Sequence, residues 1–188
     1  VTSTQAGEGK TTFALNLAYS LSKLQNKVML IEGNIRRPDL RSRVNPELLR
    51  EGLASYDMEQ FLNKEVKSSD AIANIKDTRV IMLAPDLPVK DKTAVDCLNS
   101  DAMESFINEC RDVVDYVIID EASQGFLSIF MLSTILGEKS IWIGDPFQLT
   151  PIVKVNEDKI IQKGYGAYVN GLETICYNLP IKSFRLTE

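Results

Sequence analysis

Seven residues near the start of the 188-residue chain, Ala6-Gly7-Glu8-Gly9-Lys10-Thr11-Thr12, have the make-up of a loop that wraps phosphate groups. A glycine-rich turn opening a helix lets backbone N–H groups surround an anion, with the positive end of the helix dipole behind them. In this pattern Lys10 reaches the β- and γ-phosphates of a nucleoside triphosphate, and the Thr11 hydroxyl ligates Mg²⁺. The usual pattern has a glycine six residues before the lysine, where this chain has Thr4. A second group of residues completes the chemistry. Asp115-Tyr116-Val117-Ile118-Ile119-Asp120 is an apolar run closed by an acid, followed at once by Glu121. Asp120 is the natural partner of Thr11 around Mg²⁺, and Glu121 would orient and deprotonate a water for attack on the γ-phosphate. The ligands expected are therefore ATP and Mg²⁺, and binding of the nucleotide is the firmest expectation.

These residues need a scaffold that brings the ends of several strands to one helix start. Val1-Thr2-Ser3 reads as the end of a buried strand, and Phe13, Leu17, Leu21 and Leu24 recur at helical spacing after the loop. Lys27 to Glu32, Arg79 to Ala84, Asp115 to Asp120 and Ser140 to Gly144 are short apolar runs of the kind that form buried parallel strands. Between them, Ala102 to Arg111 and Phe126 to Leu136 read as helices, and residues 45–78 as two short helices with their connections. Strands alternating with helices imply a parallel sheet covered on both faces. Ligands of such sheets bind at the carboxyl ends of the strands, where Gly7, Glu32, Asp120 and Asp145 all fall. After Glu32 comes Arg36-Arg37-Pro38-Asp39-Leu40-Arg41-Ser42-Arg43, four arginines in eight positions. Such a cluster either contacts phosphates, nucleic acid or an acidic partner, or is a solvated connection.

Bulk properties narrow the classes. Hydrophobic residues make up 44% and charged residues 25% of the chain, as in an ordinary globular domain with a proper core. The net charge of −5 and pI near 4.9 exclude a wholly basic nucleic-acid coat but leave room for a local groove. The chain has no histidine, which removes a Ser-His-Asp triad, a His-bearing zinc site and a His general base. Cys97, Cys110 and Cys176 are odd in number and widely spaced, which fits reduced thiols and a cytoplasmic location. No signal peptide or apolar run of membrane-spanning length is present in the sequence. Both ends read as cut within strands, so a single domain over residues 1–188, truncated at both ends, is expected.

Two family resemblances emerge. From Asp115 onward the sequence resembles the first motor domain of superfamily-one helicases. Asp120-Glu121-Ala122-Ser123-Gln124 is similar to their second motif and Gly144-Asp145-Pro146-Phe147-Gln148-Leu149-Thr150-Pro151 to their third. The resemblance implies that Gln148 couples the γ-phosphate to a nucleic-acid site. It makes single-stranded nucleic acid and a second motor domain candidate partners, and identical subunits are a further candidate. From Val1 to about Asp120 the chain instead resembles the bacterial tyrosine autokinases (BY-kinases) of polysaccharide export and their MinD and ParA relatives. The matching residues are Gly7-Glu8-Gly9-Lys10, Leu30 to Pro38 and Leu98 to Met103. That family carries Asp at the two positions held here by Glu32 and Asn34.

Both resemblances imply an α/β, three-layer P-loop NTPase domain with a mainly parallel sheet and helices on both faces. The hydrolytic set of Lys10, Thr11, Asp120, Glu121 and Gln148 is complete, so a Mg-dependent, helicase-type ATPase is the leading expectation. A tyrosine kinase and a MinD- or ParA-like nucleotide switch are the alternatives. Strand order separates them. In helicase-type ATPases the strand after the acidic motif lies between the acidic strand and the phosphate-loop strand. In the kinase and MinD class the latter two are direct neighbours.

Overall fold

The computed structural model describes residues 9–34, 37–49, 60–61, 63–87, 101–124, 127–145, 157–164, 171–178, 180 and 182. Helix α1 (Lys10–Lys23) starts directly after Gly9, whose φ of +81° is a left-handed conformation that glycine adopts without steric cost. Strand β1 (Val28–Glu32) follows, buried at all five positions. After two short 3₁₀ turns (Arg41–Arg43 and Pro46–Leu48) come the single turn α2 (Ser68–Ala71), β2 (Ile72–Asn74) and β3 (Val80–Leu83). The chain continues through α3 (Asp101–Cys110), β4 (Val114–Asp120), α4 (Leu127–Leu136), β5 (Gly137–Trp142), α5 (Glu157–Gln162) and α6 (Gly171–Asn178).

The five strands form one sheet in the order β2-β3-β1-β4-β5, parallel except for the antiparallel edge strand β2. Successive side chains of a strand point to opposite faces. Val28 and Leu30 of β1 therefore meet Ala14 and Ala18 of α1, while Met29 and Ile31 meet Phe106 of α3 and Phe130 of α4. Because both faces are covered there, β1 and β3 are runs of apolar residues instead of alternating ones. On the α3–α4 side, Phe61 packs edge-on to Phe106 at 5.7 Å and Phe130 edge-on to Trp142 at 5.2 Å. The Trp142 indole N–H donates to the buried Ser133 hydroxyl (3.1 Å), which donates in turn to the Phe130 carbonyl (2.7 Å). Burial of Cys110 against this cluster pushes its thiol up to about 11, so it stays protonated.

Strand β4 lies between β1, the central strand of the sheet, and β5. It pairs with β1 from Val28↔Tyr116 to Glu32↔Asp120 and with β5 from Val114↔Gly137 to Ile119↔Trp142. The Ile143 N–H continues the second ladder to the Ile119 carbonyl (2.9 Å), and the Ala122 N–H returns to the Ile143 carbonyl (2.8 Å). Both edges of β4 are thus occupied along its length.

The expected architecture is present, with three local differences. The buried face of α1 is Lys10, Ala14, Ala18 and Ser22, while Phe13, Leu17 and Leu21 are half-buried and Leu24 is exposed. Small residues let the helix lie close on the sheet, and the large ones cover its flanks. Within residues 45–78, part of what reads as helix is β2, which pairs with β3 through Ile72↔Leu83 and Asn74↔Ile81. Helices α5 and α6 lie in a stretch without an evident sequence pattern. Val1 to Ser3 and Ser183 to Glu188 lie outside the described residues.

Candidate functional site at the strand ends

The in-register pairing of Glu32 with Asp120 brings the carboxyl ends of β1 and β4 side by side, beneath the start of α1. The chain crosses very closely here. The Gly33 N–H donates to the Asp120 carbonyl at 2.9 Å, and a Cβ on Gly33 would stand 2.5 Å from that oxygen and 2.9 Å from the Glu121 carbonyl oxygen. Gly144, after β5, is as tightly placed: a Cβ there would stand 2.7 Å from the Ser123 nitrogen. Only glycine fits at either crossing.

Five charged groups converge at this junction. The Lys10 side chain is 4% exposed, and its Nζ lies 3.9 Å from Glu121 Oε1. Asp120, Glu32 and Asp145 are buried. Neither carboxylate oxygen of Asp120 accepts a hydrogen bond of good geometry. Burial raises its pKa, and the nearby Thr11 hydroxyl, Glu121 N–H and Lys10 ammonium only partly offset this. Burial raises the pKa of Glu121 too, with Lys10 acting against it. Glu121 has a φ of +50°, unusual for a residue with a side chain, and it is half-buried facing Lys10. Left-handed backbone at such a residue costs energy and concentrates at functional sites.

Glu32 plays a different part. Its Oε1 accepts from the Asn34 N–H, and its Oε2 from the Asp39 and Leu40 N–H groups, all at 2.9 Å. One carboxylate thereby pins both ends of the turn from Asn34 to Leu40. Burial outweighs these three bonds and raises Glu32 to about 7, with the Asp120 charge adding to the rise. A cavity of about 240 Å³ is lined by Gly9, Lys10, Thr11 and Thr12 on one side, by Asn34, Arg37, Asp39 and Arg43 on the other, and by Glu32 and Glu121.

A model for the AAA domain matches residues 58–156, just over half of the chain and including Asp120, Glu121 and Gly144 to Pro151. The chain belongs to the AAA domain family. This AAA domain is also similar to the septum site-determining protein MinD of Synechocystis sp., at 32% identity over 122 residues. That match covers 64% of the chain and 42% of the relative. The tyrosine-protein kinase CpsD of Streptococcus pneumoniae is 27% identical over 127 residues, covering 68% of the chain and 53% of the kinase. The chain thus spans about half the length, or less, of these relatives. Among solved structures, cobyrinic acid a,c-diamide synthase from Mycobacterium smegmatis with bound ADP and magnesium superposes with a TM-score of 0.52 at 16% identity. This match covers 90% of the chain and 68% of that structure, and it shows a shared fold. The fold is that of the P-loop NTPases.

The fold brings together Gly9, Lys10, Thr11, Thr12, Asp120 and Glu121 among the residues singled out from sequence. Ala6, Gly7, Glu8 and Gln148 lie outside the described residues. Of the arginine cluster, Arg37 and Arg43 line the cavity, Arg41 is buried with its Nε 3.2 Å from Asp86 Oδ1, and Arg36 lies outside the described residues. Sequence reasoning missed Asp39 and the close approach of Gly33. A glycine directly after an acid-tipped strand is the signal that would have marked the second. Among the described residues no group of three or more potential metal ligands of Asp, Glu, Cys or His type occurs, and no helix is long and apolar enough to cross a membrane.

Proposed function

We propose that this AAA domain binds ATP with Mg²⁺ and hydrolyses it at the junction of α1, β1 and β4, as the first motor domain of a superfamily-one helicase would. The observation that carries the reading is the placement of Glu121, its carboxylate 3.9 Å from Lys10 Nζ on the wall of the cavity that Gly9 to Thr12 also line. Lys10 binds the β- and γ-phosphates as a buried point charge, and the N–H groups opening α1 face the same oxygens. Glu121 then holds a water in line with the γ-phosphorus and takes its proton as the new P–O bond forms and ADP leaves. Its raised pKa makes it a better base than an ordinary surface carboxylate.

A divalent cation fits the donors present. Asp120 offers two buried oxygens, neither accepting a hydrogen bond of good geometry, beside the Thr11 hydroxyl, an arrangement that is costly unless a cation is at hand. Bound there, Mg²⁺ would neutralise charge on the phosphoryl oxygens. Thr11 and Asp120 would hold it together with oxygens of the nucleotide, which is how this ion is bound where the protein provides few ligands.

The helicase-type reading draws support from strand order. The strand after the acidic motif, β5, lies directly against β4, and β1 occupies the other edge, so β4 has no edge left for a phosphate-loop strand. Gly144, which opens the third motif, sits against Ser123 of the second. The kinase or switch reading is favoured by the MinD and CpsD relatives and by Glu32 and Asn34 lining the same cavity.

ATP turnover measured with and without single-stranded nucleic acid tests the choice. The helicase-type reading expects magnesium-dependent turnover that rises when the strand is added at low salt, since such binding is electrostatic and weakens steeply with salt. Turnover that ignores the strand, with phosphate appearing on tyrosine, would replace it by the kinase reading.

A further inference from the structure

The cavity has two cationic walls, and the proposed chemistry uses only one of them. Lys10 stands on the α1 side; Arg37 and Arg43 face it from the turn after β1. Resting on the ATP-hydrolysis reading above, we infer that Arg43 is the group that recognises the γ-phosphate from the far side, supplying in cis the cation that stabilises the charge of phosphoryl transfer.

Three features of the turn support this. Arg43 is oriented rather than loose: its Nε donates to Asp39 Oδ2 at 2.6 Å and its Nη2 pairs with the same oxygen at 2.5 Å. Asp39 is itself fixed, because its carboxylate accepts from the Ser42 hydroxyl (2.8 Å) and its N–H is held by Glu32. The position of Arg43 therefore follows from β1, through Glu32, and is coupled to the register that sets Asp120. The guanidinium charge also acts to lower the pKa of both Asp120 and Glu121, and Arg43 lines the same cavity as Glu121. Finally, one face of the guanidinium fork is bound to Asp39 while the side chain remains half-exposed, leaving other N–H groups for a ligand.

A planar, permanently charged fork suits a terminal phosphate better than an ammonium does. It adds most when charge spreads over the equatorial oxygens in the transition state. Arg43 would thus distinguish triphosphate from diphosphate, whereas Lys10 and the α1 N-terminus bind both. Asp39 and Glu32 are positioning residues in this account, since they act through Arg43.

The test compares the parent with Arg43→Ala and Arg43→Lys, using calorimetry with ADP and with a non-hydrolysable ATP analogue, alongside steady-state ATP turnover. Since Arg43 is half-exposed, the variants should retain the parent's thermal unfolding profile, which is checked first. Arg43→Ala should weaken the triphosphate analogue by about tenfold or more, leave ADP within about twofold, and lower kcat by about a hundredfold or more. Arg43→Lys should recover part of the affinity and less of the rate, because the charge returns without the fork. Equal loss of ADP and analogue affinity, or an unchanged kcat in Arg43→Ala, would overturn the inference while leaving the hydrolysis reading intact. A parent that binds neither nucleotide would overturn the hydrolysis reading and this inference with it.

Discussion

Glu121 holds an unfavourable backbone conformation just past the end of β4, and its neighbours explain why it can. Gly33 and Gly144 let two other chain segments press against residues 120–123, and their backbone contacts leave the acidic turn little freedom to relax. The site's geometry therefore depends on residues that carry no side chain into it. Gly33→Ala should show this. The added methyl would meet backbone oxygens that cannot rotate away, so the ends of β1 and β4 must separate. A loss of about 1–3 kcal/mol in urea unfolding is expected, with a fall in ATP turnover at unchanged Lys10, Asp120 and Glu121. A Gly33→Ala variant as stable and active as the parent would contradict the close-crossing argument. At this scale the sequence was most informative where one residue type serves one need. An acid closing an apolar strand, such as Asp120, could be placed at the strand's carboxyl end from sequence. Glu32, which also closes an apolar strand, could not be assigned, because no pattern shows that the N–H groups of residues 34, 39 and 40 fold back onto it.

At the scale of elements, β1 and its following turn form one unit held by a titratable carboxylate. Glu32 ordinarily titrates near 4.5 and is raised to about 7 in the fold. An acid raised on folding takes up a proton, so its contribution favours the fold fully below pH 4.5 and is lost as the pH rises through 7. The difference corresponds to roughly 3 kcal/mol across that window. Glu32→Gln lacks this titration. The stability of the parent relative to Glu32→Gln, from urea unfolding, should therefore fall between pH 4.5 and pH 7.5. A difference that is flat with pH, or that rises, would show that Glu32 is not desolvated as described. The elements themselves were legible in proportion to their periodicity. Strands β1, β3 and β4 are buried on both sides and read as unbroken apolar runs. β2 is only three residues long and draws its order from the open edge of β3, so no local pattern announces it. In α1 the large residues suggested the core face, whereas close helix–sheet packing selected Ala14 and Ala18.

For the whole molecule, a sheet covered on both faces holds its strand ends rigidly enough to fix two carboxylates and a lysine within one cavity. Net charge of −5 gives no general attraction for nucleic acid, so any strand-binding groove must be local. The fold class followed from alternation of strands and helices alone. Strand order did not, because pairing between elements distant in sequence leaves no local trace. The central claim is that Glu121 drives ATP hydrolysis in a site where Glu32 serves as scaffold. The measurement closest to it is single-turnover ATP hydrolysis at saturating nucleotide by Glu121→Gln and Glu32→Gln beside the parent. Glu121→Gln keeps size and hydrogen bonding but removes basicity, so the rate should fall by about a hundredfold or more with ATP still bound. Glu32→Gln should lower it by less than about tenfold, through a loosened turn. The reverse ranking, with Glu32→Gln inactive and Glu121→Gln near the parent, would contradict the account and assign the base to β1.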